Sequence, residues 1–224
     1  MSQSGLPILF QDNRFIVVDK PAGLPVHPGP RGGPSVEDGF RDMSRRKDGP
    51  WLAHRLDADT SGCLVIALRK SALVAAQAEF AAGRVEKIYW AVVRGGPAAD
   101  TGRIDARVLR QSRIGGWRMH LNDSGAAART DWRVLGRGPG MAWMEFRPRT
   151  GRTHQIRIHA ASIGCPLLGD PIYGEHSEGS GVHSRLHLLA RSIRLGLEPP
   201  VVAEAQPGAH MRMALTACGW VSRM

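Results

Sequence analysis

Residues 54–62 read HRLDADTSG and run straight into CLVIAL. Asp57 stands two residues after Arg55 and just before the Thr60-Ser61-Gly62 turn. That places a carboxylate where a loop becomes a buried strand, a position from which a side chain is aimed into a cleft. Such a carboxylate can serve as nucleophile, as base or as metal ligand. It can equally belong to a capped turn, salt-bridged to Arg55. Asp57 and Asp59 at i and i+2 would share a strand face and could hold Mg²⁺. A third acid is needed for that, and Glu145 is the one candidate, without a supporting pattern. His54, His154 and His159 raise zinc, but a spacing of five fits one helix face poorly and no cysteine or acid completes the set. Ser61 lacks the G-x-S-x-G elbow of a serine hydrolase. Tyr89, one of two tyrosines, lies in K-I-Y-W-A-V-V, either as an edge-strand aromatic or as a platform for a flat base. Arg157 could reach a buried carboxylate, and an arginine next to Asp57 would hold it ionised.

These side chains need elements to carry them. Residues 8–19 read as two short strands about an Asp-Asn turn. KPAGLPVHPGPRGGP, which follows, is too rich in proline and glycine for a helix or central strand. Residues 35–47 suggest a short helix capped by Ser35. Residues 63–68 predict a buried strand. Residues 70–82 predict a helix with Leu73, Ala76, Gln77 and Phe80 in a stripe, stopped by Gly83. Strands are expected at 86–94, 103–109, 129–135, 141–147, 185–195 and 210–217. Residues 153–163 predict a helix capped by Thr153, with Ile156, Ala160 and Ile163 facing inward and His154 and Arg157 sharing another face. EHSEGSGVHS, residues 175–184, reads as a polar loop. Strands outnumber helices and several are hairpin-linked, so the class is α+β with a mostly antiparallel sheet.

The chain has 224 residues, 42% hydrophobic and 22% charged, enough for a sizeable core. No run approaches the roughly 18 apolar residues of a membrane helix, and the N-terminus lacks the pattern of a secretory signal. Three scattered cysteines, Cys63, Cys165 and Cys218, make neither a disulfide framework nor a zinc ribbon. The expectation is a cytoplasmic protein. The net charge is +10, and 26 of the 30 basic residues are arginines. Arginine grips phosphate with a planar fork, which points to a polyanion such as nucleic acid; a solvated basic surface is the plain alternative.

Four stretches together resemble the RluA-type pseudouridine synthases: K-P-A-G-L-P-V-H-P-G, H-R-L-D-A-D-T-S-G-C-L-V-I-A, E-K-I-Y-W-A-V-V, and T-G-R-T-H-Q-I-R-I-H-A-A-S-I-G-C-P-L-L-G-D-P-I-Y-G. The match runs from about residue 8 to 217, with the motifs in order. The resemblance implies a mixed, largely antiparallel bent sheet with flanking helices and a central catalytic cleft. It implies isomerisation of uridine to pseudouridine in ribosomal RNA or a transfer-RNA stem-loop, with no cofactor, no metal and no membrane. It makes Asp57 the catalytic aspartate, Tyr89 the residue stacked on the base, and Arg157 the partner of Asp57. Arg55 would fill the gap left by a flipped nucleotide and Ile156 would pack beside the base. His54, Thr60, Arg152, His154 and Gln155, in the same motifs, are expected to contact RNA. Two departures stand out. Residues 188–190 are L-L-A where the family often has L-H-A, leaving the role of His187 open. The first motif begins too early for an N-terminal S4-type domain, so one catalytic domain over 1–224, working as a monomer, is expected. An inactive RNA-binding module and a metal-dependent nuclease are the competing classes.

Overall fold

Strand β1 (Ile8–Gln11) turns into β2 (Phe15–Lys20) because Asp12 folds its carboxylate back on the chain. Its Oδ1 accepts the N–H groups of Arg14 at 2.7 Å and Phe15 at 2.6 Å, an Asx turn in place of a glycine. The computed structural model describes residues 5–29, 32–44, 48–113, 116–174 and 185–222. The described residues sort into two compact units, one within Met1–Lys87 and Leu189–Gln206, the other within Ile88–Leu188 and Pro207–Met224.

In the first unit β4 (Ser61–Ala67) is the axis, and all seven of its residues are buried. It pairs antiparallel with β2 from Phe15↔Ala67 to Lys20↔Gly62. Its other edge takes β3 (Trp51–Leu52) antiparallel and, at Ser61 and Gly62, the start of β10 (Leu188–Leu195) in parallel. A strand buried on both faces reads as a continuous apolar run, which is what CLVIA supplies. Gly62 has φ +105° and lies so close to β10 that a Cβ would collide with the Ala190 carbonyl oxygen, so only glycine fits. Strand β11 (Val201–Glu204) closes the far side of β10. Ser35 precedes a 3₁₀ turn over Val36–Gly39 and the single helical turn α1 (Phe40–Met43); Asp38 accepts the Ser35 N–H at 2.8 Å. The rest of the expected helix, residues 45–47, lies outside the described residues. Helix α2 (Lys70–Ala81) follows its prediction and ends at Gly83, φ +69°. Its buried stripe is Ala72, Leu73 and Ala76, and Gln77 is exposed.

The second unit is an antiparallel sheet in the order β5 (Glu86–Arg94), β9 (Met141–Pro148), β8 (Ala126–Gly138), β6 (Thr101–Arg113), β7 (Gly116–Leu121). Strands β6 and β8 exceed their predicted lengths because each extends the other's register from Thr101↔Arg133 to Val108↔Ala126. Helix α3 (Gln155–Ser162) lies on β7, β8 and β9. Its Ile156 and Ala160 join Ala91, Met144, Phe146 and Trp132 in the core, with Ile163 packed against them. The helix starts at His154, not Thr153: His154 is the N-cap and takes φ +54°, the left-handed region. The last element corrects a strand expectation. Residues 210–217 belong to helix α4 (Ala209–Ala217), which buries Met211, Ala214 and Leu215 at helical spacing. It packs on β8, where a Cβ on Gly136 would collide with the Cys218 carbonyl. The expected loop at 175–184 lies outside the described residues.

Candidate active site

The turn that carries Asp57 is fixed from behind. Thr60 N–H closes it on the Asp57 carbonyl at 3.1 Å. The Ala58 carbonyl is held twice, by the Gly23 N–H at 2.9 Å and by the Lys20 ammonium at 2.7 Å. Lys20, at the end of β2, is fully buried, and its Nζ also donates to the Pro21 and Leu24 carbonyls at 2.9 and 2.8 Å. Burial pushes its pKa down to about 8, against the upward pull of Asp59 and Asp57. The K-P-A-G and D-A-D-T-S-G segments are thus tied by one cation. Leu56 and Thr60 are buried on either side of the half-buried Asp57, while Arg55 is exposed. A side chain between two buried anchors has few conformations to lose, which preorganises the carboxylate.

His54 has a structural task that the sequence did not reveal. Its Nε2 accepts the Val65 N–H at 3.1 Å, and its ring lies 5.1 Å from Phe80 of α2. Burial, with Lys87 adding to it, brings its pKa down to about 4, so the ring is neutral as this bond requires. His54 thus fastens loop, strand and helix together.

In the second unit Tyr89 is half-buried, opposite Phe146 in the sheet and packed against the core cluster. Ile156 belongs to that core. Arg157 is 2% exposed, and its Nε and Nη2 make a bidentate pair with Asp170, both bonds 2.8 Å. Asp170 Oδ1 also accepts the N–H groups of Ile172 and Tyr173 at 2.9 and 3.1 Å. Burial would raise the Asp170 pKa; the Arg157 pair and these amides outweigh it and hold it below the ordinary carboxylate range. Sequence reading assigned Asp170 no role. A signal was available, since a buried arginine requires a buried acid and G-D-P-I-Y-G supplies one. The second tyrosine, Tyr173, ties the cluster together. The Arg157 guanidinium sits 5.4 Å from its ring centre, and its hydroxyl meets His154 Nδ1 and the Met119 N–H, each at 3.0 Å. The predicted sharing of a face by His154 and Arg157 is thus seen, around a third residue.

Gln155 also turns inward. It is 4% exposed; its Oε1 accepts from the Thr150 hydroxyl and the Arg152 N–H, and its Nε2 donates to the Arg129 carbonyl and Thr130 Oγ1. The amide is thus fully satisfied within the fold. Arg152 is exposed and donates Nε to the Ala127 carbonyl at 3.1 Å. Glu145, weighed above for a metal, is held by Arg133 and Arg147. His187 is buried and shares the Arg185 carbonyl with its Nδ1 at 2.8 Å, its ring edge-on to His210.

With fold and residues placed, comparison with known proteins is decisive. The family model described as RNA pseudouridylate synthase matches residues 14–162. A relative from Zymomonas mobilis, named an uncharacterized RNA pseudouridine synthase, is 39% identical over 88% of this chain and 92% of its own length. The ribosomal large subunit pseudouridine synthase D of the same organism is 36% identical over 83% of this chain, which spans 60% of that protein. Among solved structures, human RNA pseudouridylate synthase domain containing 4 superposes with a TM-score of 0.79 at 26% identity, covering 95% of this chain and 92% of that one. The chain belongs to the RNA pseudouridine synthase family, of the RluA type. It is thus an isomerase that acts on RNA. Among the described residues, no helix is long and apolar enough to cross a membrane.

Proposed function

We propose that this chain converts uridine to pseudouridine in a stem-loop of ribosomal or transfer RNA, with Asp57 as the catalytic carboxylate. The working form is a single copy in the cytoplasm, and the reaction takes no cofactor. In this reaction the C1′–N1 bond breaks, the uracil turns, and C5 bonds to C1′. The C5 proton leaves and N1 regains one, so nothing is added overall. The carboxylate acts on the sugar or base during the exchange. Tyr89 stacks on the base, Ile156 packs beside it, and Arg157 is the guanidinium partner of the acid. Arg55 takes the place of the everted nucleotide, whose unstacking costs a few kcal/mol. His54, Thr60, Arg152, His154 and Gln155 border the RNA.

The observation that carries this reading is the clamp on the Asp57 turn, in which the buried Lys20 ammonium and the Gly23 N–H both hold the Ala58 carbonyl. A solvated turn has no use for a buried ammonium; a carboxylate that must meet a reacting atom within a fraction of an ångström does. The test is release of tritium from RNA labelled at uracil C5. Wild-type protein releases it. Asp57→Ala abolishes release while RNA binding, followed by fluorescence anisotropy, stays near wild type. Turnover by that variant refutes the assignment.

A further inference from the structure

One face of the second unit's sheet carries an ordered array of guanidinium groups that the reaction does not use. In an antiparallel sheet, residues directly opposite one another point to the same face. Asp105 faces Arg129, Arg103 faces Asp131, Asp131 faces Arg147, and Arg133 faces Glu145. Tyr89 lies opposite Phe146, in the alternate register, so it points to the other side of the sheet. The array borders an open hollow of about 490 Å³, whose lining includes Thr101, Arg103, Asp131, Arg133, Glu145 and Arg147.

Each acid acts as a tether. Asp131 takes Nε of Arg103 at 2.6 Å and Nε of Arg149 at 2.7 Å. Glu145, 4% exposed, takes Nε of Arg147 at 2.8 Å and two donors of Arg133 at 2.9 and 3.1 Å. Arg103 and then Arg149 lower the Asp131 pKa; for Glu145, burial pulls upward and the two arginines overcome it. The acids therefore stay charged. Five arginines (Arg103, Arg129, Arg133, Arg147, Arg149) stand against three carboxylates, leaving the face positive. Arg103, Arg147 and Arg149 commit only Nε, and their side chains are 61%, 48% and 61% exposed. No other partner among the described residues takes their Nη groups. Strands about 4.8 Å apart with a two-residue repeat of about 6.8 Å set the mesh of the array. Tethered forks lose little side-chain entropy on binding, and the fork matches phosphate.

We propose that this arginine array is a second RNA site, which grips backbone phosphates of a segment away from the target uridine. The inference deepens the assignment of RNA as substrate and rests on it. Because the array and Tyr89 lie on opposite faces of one sheet, an RNA that uses both must pass around the sheet. Long structured RNA should then outcompete a minimal stem-loop.

The test is the double variant Arg103→Gln/Arg147→Gln, which leaves Asp131 with Arg149 and Glu145 with Arg133. Affinity for long RNA is measured by anisotropy across a salt series. The slope of log K against log salt should fall by about 1 for each arginine removed. Affinity at low salt should drop roughly tenfold, and the advantage of long over minimal RNA should shrink. Arg103→Lys/Arg147→Lys should restore the slope. A folded double variant with the wild-type slope overturns the proposal and leaves the array a stabilising network. So does displacement of long RNA by a poly-glutamate peptide at equal charge, which assigns the face to an acidic protein. Should the double variant melt early, Arg103→Gln alone carries the same measurement at half the size. If wild-type protein releases no tritium, the function proposed above fails, while the salt slopes still decide this inference.

Discussion

Replacing Lys20 by methionine isolates the clamp behind Asp57. Methionine keeps the length of the stem and removes the ammonium. Three carbonyls, of Pro21, Leu24 and Ala58, then lose donors now at 2.7–2.9 Å. Bonds from a charged donor are worth roughly 1.5–3 kcal/mol each. Against this, the variant is spared the cost of burying a charge. A pKa brought down to about 8 from 10.5 corresponds to roughly 3 kcal/mol. The net loss is about 1.5–6 kcal/mol, or roughly 3–24 °C in melting temperature for a chain of this size. The pH dependence gives the sign. The folded pKa lies below the unfolded one, so between pH 8 and about 10.4 the unfolded chain holds more protons and wild-type stability rises with pH. The variant lacks this rise, so the gap between the two must widen across that window, where all other groups cancel in the difference. At saturating RNA, kcat should fall on the order of tenfold or more with KM little changed, because RNA is bound as before while the acid is aimed less well. Thermal melts from pH 7 to 10 with single-turnover tritium release test both parts. A variant that melts within 2 °C of wild type and shows no widening with pH refutes the argument.

Two further outcomes follow from buried groups. Asp170→Asn leaves the Arg157 guanidinium buried against a neutral amide and should cost about 3–5 kcal/mol, seen as an earlier urea midpoint with an unchanged m-value, and should lower kcat through loss of Arg157 position. His54 and His159 both have pKa values brought to about 4 by burial. Each thus contributes stability that is fully present above the unfolded value near 6.5 and is lost as pH falls toward 4, by roughly 3 kcal/mol apiece. Urea melts at pH 7 and 4.5 should show the loss, and His159→Gln should flatten it by about half.

What the sequence made legible was pattern repeated over several residues. The D-N turn at 12–13, the apolar run of β4, the stripe and glycine stop of α2, and the inner face of α3 are all statements about period and punctuation. Helix α4 failed for the same reason. Met211, Met213 and Leu215 alternate with Arg212, Ala214 and Thr216, a strand-like period, yet Met213 is 84% exposed and the buried set is Met211, Ala214 and Leu215. Over these six residues both periods fit, and packing on β8 chose between them. Strands β3, β7 and β11 carry two, six and four residues and owe their form to a partner strand, which no local pattern announces.

Among the site residues, motif membership marked the right segments but could not sort their members. H-R-L-D contains an exposed arginine, a neutral fastening histidine and a half-buried acid, and T-H-Q-I-R contains a left-handed cap, a satisfied buried amide and a buried cation. The difference lies in what each side chain meets across the fold. Lys20 and Asp170 show it most clearly. Both are charged, both sit beside proline in quoted motifs, and both are buried with a bond that reaches a distant segment, Lys20 to the Ala58 carbonyl and Asp170 to Arg157. A charge is expensive to bury, so the fold retains one there only if it holds something in place. Lys20 holds the turn of Asp57, and Asp170 holds Arg157. Two of the three residues named for the chemistry from the sequence, Asp57 and Arg157, are therefore each backed by a buried ion that the sequence displayed without its purpose.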